Sequence, residues 1–365
     1  MVGAPLGADL RVAPCVDTGT LVSMRSRVQI FCLSFFLYDP RARARELARV
    51  AMALSKLSGD EQCIIFVQLC NVLDPRVAVA FSSASSELWA LTQSERQQLK
   101  VGYDMATSLC RKLGWRRCKQ LREAKTLDCD GRGLTLDDLG LLGSLGPVLP
   151  ALEVLEFYNA AAGIPDVELH GVQRLAEKLG AGALPAVSDL NFQTMCVGDE
   201  GASAFAAALG RGAMPRLISL DLTDTEIGDA GLVALAPALR RQPELESLYL
   251  WGNPLGDEGL AALVAPPPPP AGAPPPTSGG LAKLKRLELG FTQITDAGCA
   301  TLVSALDSGM LPALKWIQVG SGHRATPACT SASRTAVTEA LERATSRAAR
   351  PCRRSGRFKV GATRS

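Results

Sequence analysis

The chain has 365 residues, 39 basic against 36 acidic side chains, and no apolar run near the ~20 residues that cross a bilayer, which argues against a spanning helix. Its eleven cysteines include no Cys-x-x-Cys pair, which speaks against zinc ribbons and redox motifs and fits a reduced cytoplasmic or nuclear protein. The net charge of +3 hides three blocks, +6 over residues 1–123, −11 over 124–319 and +8 over 320–365; the acidic middle repels nucleic acid, leaving only the basic tail to attract it.

Residues 1–40 give little pattern and are expected to be poorly ordered. Within them Val28–Tyr38 is apolar and follows Met24-Arg-Ser-Arg27. Read from Met24 this mimics a signal peptide, but it lies too deep behind Met1 for that, and a buried strand or a stretch that is not genuine coding sequence are the other readings. Residues 41–123 read as helical. Asp60 is placed to cap a helix carrying Ile64, Ile65 and Leu69, and Asp74-Pro75 opens a second. A third is expected from Glu95 to Leu113.

Leu57, Asp60-Glu61, Ile65-Phe66, Leu69, Leu73-Asp74-Pro75, Ser85 and Trp89 succeed one another in a recognisable order. Residues 55–91 thereby resemble an F-box, a three-helix adaptor-binding module, with Ser58 where that family places Pro. The resemblance implies a substrate receptor of a cullin-RING ubiquitin ligase whose adaptor is held near Leu57, Ile65, Phe66 and Leu73. The same residues also suit a plain helical cap on the domain that begins at residue 124.

From residue 124 to 320 one pattern recurs. Leu217-x-x-Leu220-x-Leu222 leads to Ile227-Gly228-Asp229, Leu245-x-x-Leu248-x-Leu250 to Leu255-Gly256-Asp257, and Leu284-x-x-Leu287-x-Leu289 to Ile294-Thr295-Asp296. Good copies also start at 187 and, truncated, at 314, an acceptable one at 152 and a poor one at 124. The last two leucines of L-x-x-L-x-L share one side of a short strand. The Asp is placed to cap the next helix, and that helix covers the strand. One unit cannot bury its apolar side alone, so neighbours must stack.

This stretch resembles the ribonuclease-inhibitor-like leucine-rich repeats. The resemblance implies an α/β horseshoe, parallel strands inside and helices outside, here with a small all-α N-terminal module. The family's Asn stands only at Asn253; Met195, Thr225 and Thr292 replace it elsewhere. A Pro-rich insertion, residues 265–280, interrupts the repeat begun at Leu245; it reads as a spacer or as a contact for SH3- or WW-type domains. Residues 321–365 read as a basic, largely disordered tail.

No catalytic constellation emerges. His170 and His323 lack motif partners, there is no Gly-Lys-Ser/Thr loop, and Asp128-x-Asp130-Gly131 has Arg132 and Leu139 where calcium needs oxygen ligands. No cofactor or metal is expected, and the chain reads as a non-enzyme. Residues between and after the leucines face the open side, which puts Tyr158, Asp221, Asp224, Tyr249, Trp251, Glu288 and Phe291 in neighbouring columns. Exposed aromatics among carboxylates suit a protein partner on the concave face. GTPase activation, known among relatives of this repeat family, and a plain inhibitor or scaffold are the alternatives.

Overall fold

A computed structural model describes residues 58–158, 165–264, 281–320 and 329–348. Leu57, residues 1–40 and the Pro-rich insertion lie outside them. The chain divides into two units between Asp104 and Met105, nineteen residues before the boundary expected at 123. The division falls inside helix α4.

The first unit contains α1 (Gly59–Leu69), α2 (Arg76–Ser82), α3 (Ser86–Leu91) and the first half of α4 (Gln93–Lys112). Ser58, rather than Asp60, caps α1. Its hydroxyl accepts from the Glu61 amide at 3.3 Å while the Glu61 carboxylate accepts from the Ser58 amide at 2.8 Å, a reciprocal capping box. Ile65, Phe66, Leu69, Ala78, Phe81, Leu88 and Leu99 form its core.

In the second unit, after α5 (Cys118–Glu123), strands and helices alternate. The order is β1 (Thr126–Asp128), α6 (Leu136–Leu145), β2 (Val154–Glu156), α7 (Pro165–Lys178), β3 (Asp189–Asn191), α8 (Gly198–Gly210) and β4 (Ser219–Asp221). It continues with α9 (Asp229–Leu239), β5 (Ser247–Tyr249), α10 (Asp257–Val264), β6 (Arg286–Leu289), α11 (Asp296–Asp307), β7 (Trp316–Val319) and α12 (Ser331–Ala348). The strands form one parallel sheet in chain order. Leu127, Leu155, Leu190, Leu220, Leu248, Leu287 and Ile317 pair across it in one register row. The six leucines of that row are buried. Burying each relative to water contributes about 1.5–3 kcal/mol.

Two polar ladders tie the repeats together. Asn253, buried, accepts from the amides of Thr225 (3.2 Å) and Ile227 (2.9 Å) and donates to the carbonyls of Leu222 (2.6 Å) and Leu250 (3.1 Å). Where Thr replaces Asn the hydroxyl donates locally, Thr225 to Leu222 O and Thr292 to Leu289 O, both 2.8 Å, and the Thr225 hydroxyl also reaches Asn253 Oδ1 at 3.1 Å. The second ladder runs through the aspartates at the helix starts. Asp199 Oδ1 accepts from the Gly228 and Gly231 amides, and Asp229 Oδ1 from those of Gly256 and Gly259, at 2.7–2.9 Å. Asp257 accepts from the Thr295 amide and Asp296 from that of Thr330, each at 2.8 Å. The sequence pattern predicts that each Asp caps its own helix; in the structure each caps the helix of the next repeat instead. A Cβ at Gly298 would stand 2.2 Å from Asp257 Oδ1, so the close approach requires glycine there.

The last rung of this ladder is Thr330, one residue before α12, where composition predicts a disordered tail. Val337, Ala340 and Leu341 of α12 are buried, and α12 packs on α11 and β7. Arg343 reaches the Asp307 carboxylate at 3.1 Å. These apolar positions at helical spacing are diluted by Ser, Thr and Arg, so composition alone hides them.

Candidate functional site

The side of the sheet away from the buried leucines carries two rows of side chains, set by the strand register. The first is Thr126, Val154, Asp189, Ser219, Ser247, Arg286 and Trp316; the second is Asp128, Glu156, Asn191, Asp221, Tyr249, Glu288 and Gln318. Alternation along each strand puts both rows on the same open face. The polar residues of the second row also serve the backbone. Asp128, Asn191 and Asp221 each accept from the amide two residues on, at 2.8–2.9 Å.

Pairing continues past the strand ends. Leu250 N donates to Glu288 O and Gly252 N to Gly290 O, both at 2.9 Å. This carries Trp251 onto β6: a Cβ at Gly290 would lie 2.7 Å from Trp251 Cδ1, so the indole covers the space where a side chain would stand. The Phe291 ring meets it at 4.5 Å between centroids, tilted by 51°. Both side chains stay half-exposed.

Phe291 sits at φ 56°, and its equivalents Thr194 (62°), Asp224 (52°) and Gly252 (76°) share the left-handed conformation. The chain turns there in every one of these repeats, and only glycine does so without strain. A non-glycine residue costs about 1–2 kcal/mol. At Phe291 this turn places an aromatic ring beside Trp251. Asp224, by contrast, lies against Gly252, with Oδ1 1.9 Å from where a Cβ would be, and so serves repeat packing.

The electrostatics are acidic. Burial pushes the Glu288 carboxyl up and Asp221 adds to this, while Arg286, 3.7 Å away, opposes it. Arg286 also stacks on Trp316 at 5.0 Å. Of the residues expected from the sequence, Asp221, Tyr249 and Glu288 share the second row, Trp251 and Phe291 pair beside it, and Tyr158 is exposed beyond β2. Sequence reasoning missed Asp189, Arg286 and Trp316. Period-two alternation marks them too, since each directly precedes the central residue of its strand.

The adaptor residues fare differently. Ile65, Phe66 and Leu73 are 3 %, 0 % and 3 % exposed, so they hold the first unit together and present nothing to a partner. Among the described residues there, the exposed large apolar side chains are Val67, Val79, Trp89, Leu91 and Val101. Val79, Trp89 and Leu91 line an open groove of about 1010 Å³ with Pro75, Lys100 and Tyr103. Helical spacing identifies an apolar face but not whether it turns inward.

The family model for leucine-rich repeats matches residues 215–236, 243–264 and 280–303. Residues 215–303 thus carry three leucine-rich repeats. The matched leucine-rich repeats are the three that supply β4, β5 and β6, hence Asp221, Tyr249, Trp251, Glu288 and Phe291. Comparison with curated proteins returns no significant match.

Proposed function

We propose that this protein recognises another protein, without catalysis, through the open face of its repeat sheet, read as the concave face of a ribonuclease-inhibitor-like horseshoe in the cytoplasm or nucleus. The observation that carries the reading is the Trp251–Phe291 pair, half-exposed beside the carboxylates of Asp221 and Glu288. Large rings at low conformational cost beside charge are what dominate protein interfaces. Four of the six strand-to-strand steps, at 28–30 residues, together with Asn253 and the Gly-Asp turns, support the subtype.

Affinity capture comparing the native chain with Trp251→Ala and with Val233→Ser, an exposed change on α9, tests the reading. Proteins retained by the native chain and by Val233→Ser but lost from Trp251→Ala are the expected result. An identical set from all three chains would sink it.

The finer reading makes the chain a substrate receptor of a cullin-RING ubiquitin ligase, supported by the residue order over 55–91. The surface then falls to Val79, Trp89 and Leu91 in place of the buried Ile65 and Phe66. Trp89→Ala with Leu91→Asp should abolish binding of the purified ligase adaptor without unfolding the protein. Absence of micromolar binding by the native chain would retire this reading. The GTPase-activating alternative gains little from Arg286, which is engaged by Trp316 and Glu288.

A further inference from the structure

We propose that the groove between α2, α3 and α4 receives an acidic amphipathic helix of a partner protein. This rests on the reading of that groove as a partner surface and is independent of the open face of the sheet. Val79 of α2 and Trp89 and Leu91 of α3 line it with exposed apolar side chains. Its charge has one sign: among the described residues the lining carries two cations, Arg96 and Lys100 of α4, and no carboxylate. Lys100 is exposed and has no ion-pair partner among the described residues. An apolar surface edged by unneutralised cations is complementary to a segment that alternates apolar and acidic faces.

The aromatic anchor is already set. Arg96 Nη2 donates to Trp89 O at 2.6 Å, and its guanidinium lies 3.3 Å from the centre of the indole. The ring is held there although 44 % exposed, so a partner side chain loses little freedom in docking on it. The groove is built from helices, whose backbone groups bond internally. An occupant must therefore satisfy its own N–H and C=O groups, which a helix does and a lone extended strand does not. From Gln93 to Tyr103 α4 lines the groove over about 15 Å, roughly three turns. A partner helix of similar length can set its apolar stripe on Val79, Trp89 and Leu91 and turn its carboxylates to Arg96 and Lys100.

The test uses the full chain and three fluorescein-labelled peptides of about fifteen residues, enough for such a helix. All share one helical stripe of Leu and Trp, and the other face carries Glu, Gln or Lys. By anisotropy the Glu peptide should bind about fivefold tighter than the Gln peptide, and the Lys peptide weakest. Lys100→Glu should abolish that preference, whereas Lys119→Glu, an exposed change on α5, should keep it. Trp89→Ala should weaken the Glu peptide about tenfold in a chain with a native urea midpoint. Equal affinity for the three peptides, no binding of the Glu peptide at millimolar concentration, or a preference that survives Lys100→Glu would overturn the proposal. Binding of the ligase adaptor that needs Trp89 but ignores Lys100→Glu would in that event leave the groove as a partner surface, without the acidic helix.

Discussion

Replacing Asn253 by Ala removes the amide that joins the repeats bearing β4 and β5. Two buried N–H groups, of Thr225 and Ile227, lose the acceptor that stands 3.2 and 2.9 Å away. The Leu250 carbonyl loses a donor as well, whereas Leu222 O keeps the Thr225 hydroxyl. A buried polar group left unsatisfied costs about 1–3 kcal/mol, and a water in the vacated space returns part of it. The expected loss is about 3–5 kcal/mol, read as a lower urea midpoint by far-UV circular dichroism at unchanged slope. Thr225→Val should cost only about 1 kcal/mol, because Leu222 O still accepts from Asn253 Nδ2. A loss below 1 kcal/mol for Asn253→Ala, or a larger one for Thr225→Val, would refute the view that this amide holds the two repeats together.

Leu250→Ala should lose about 2–5 kcal/mol by emptying fully buried volume, and Trp251→Ala, one residue on, no more than about 1 kcal/mol by thermal melting; comparable losses would mean that the face is misassigned. Gly298→Ala should be strongly destabilising, because its Cβ meets the Asp257 carboxylate, and adding Asp257→Ala should restore part of the loss in a double-mutant cycle. Deleting residues 266–279 leaves seven residues between Val264 and Arg286, the number between Leu239 and Ser247, so calorimetry should find the melting temperature nearly unchanged. Glu288 has its carboxyl raised by burial, so its contribution is favourable at low pH and lost as pH rises through the raised value; Glu288→Gln should therefore be neutral or stabilising at pH 7, the reverse of a structural ion pair.

The strands were legible because L-x-x-L-x-L states a period of two and a buried side at once, and all seven repeat starts lead into strands. The second row of the face comes directly from that register. The role of the aspartates was not legible, since the amides they cap lie 27–38 residues away. Nor was α12: Val337, Ala340 and Leu341 are too few to stand out among Ser, Thr and Arg. Ile65 and Phe66 mark the reverse failure. Their spacing is correct for a helix face, but the Phe81 ring, 6.5 Å from that of Phe66, belongs to the core they form. The left-handed turn at Phe291 is hidden as well, because nothing in a phenylalanine announces a positive φ.

The central claim is that the Trp251 face makes the contact. The most direct test is the affinity of the purified full chain for a captured partner, measured by titration calorimetry with and without Trp251→Ala. Loss of a central aromatic anchor is worth about 2 kcal/mol or more, a weakening of roughly 30-fold, in a chain that still unfolds at close to its native urea midpoint. An unchanged Kd would contradict the account.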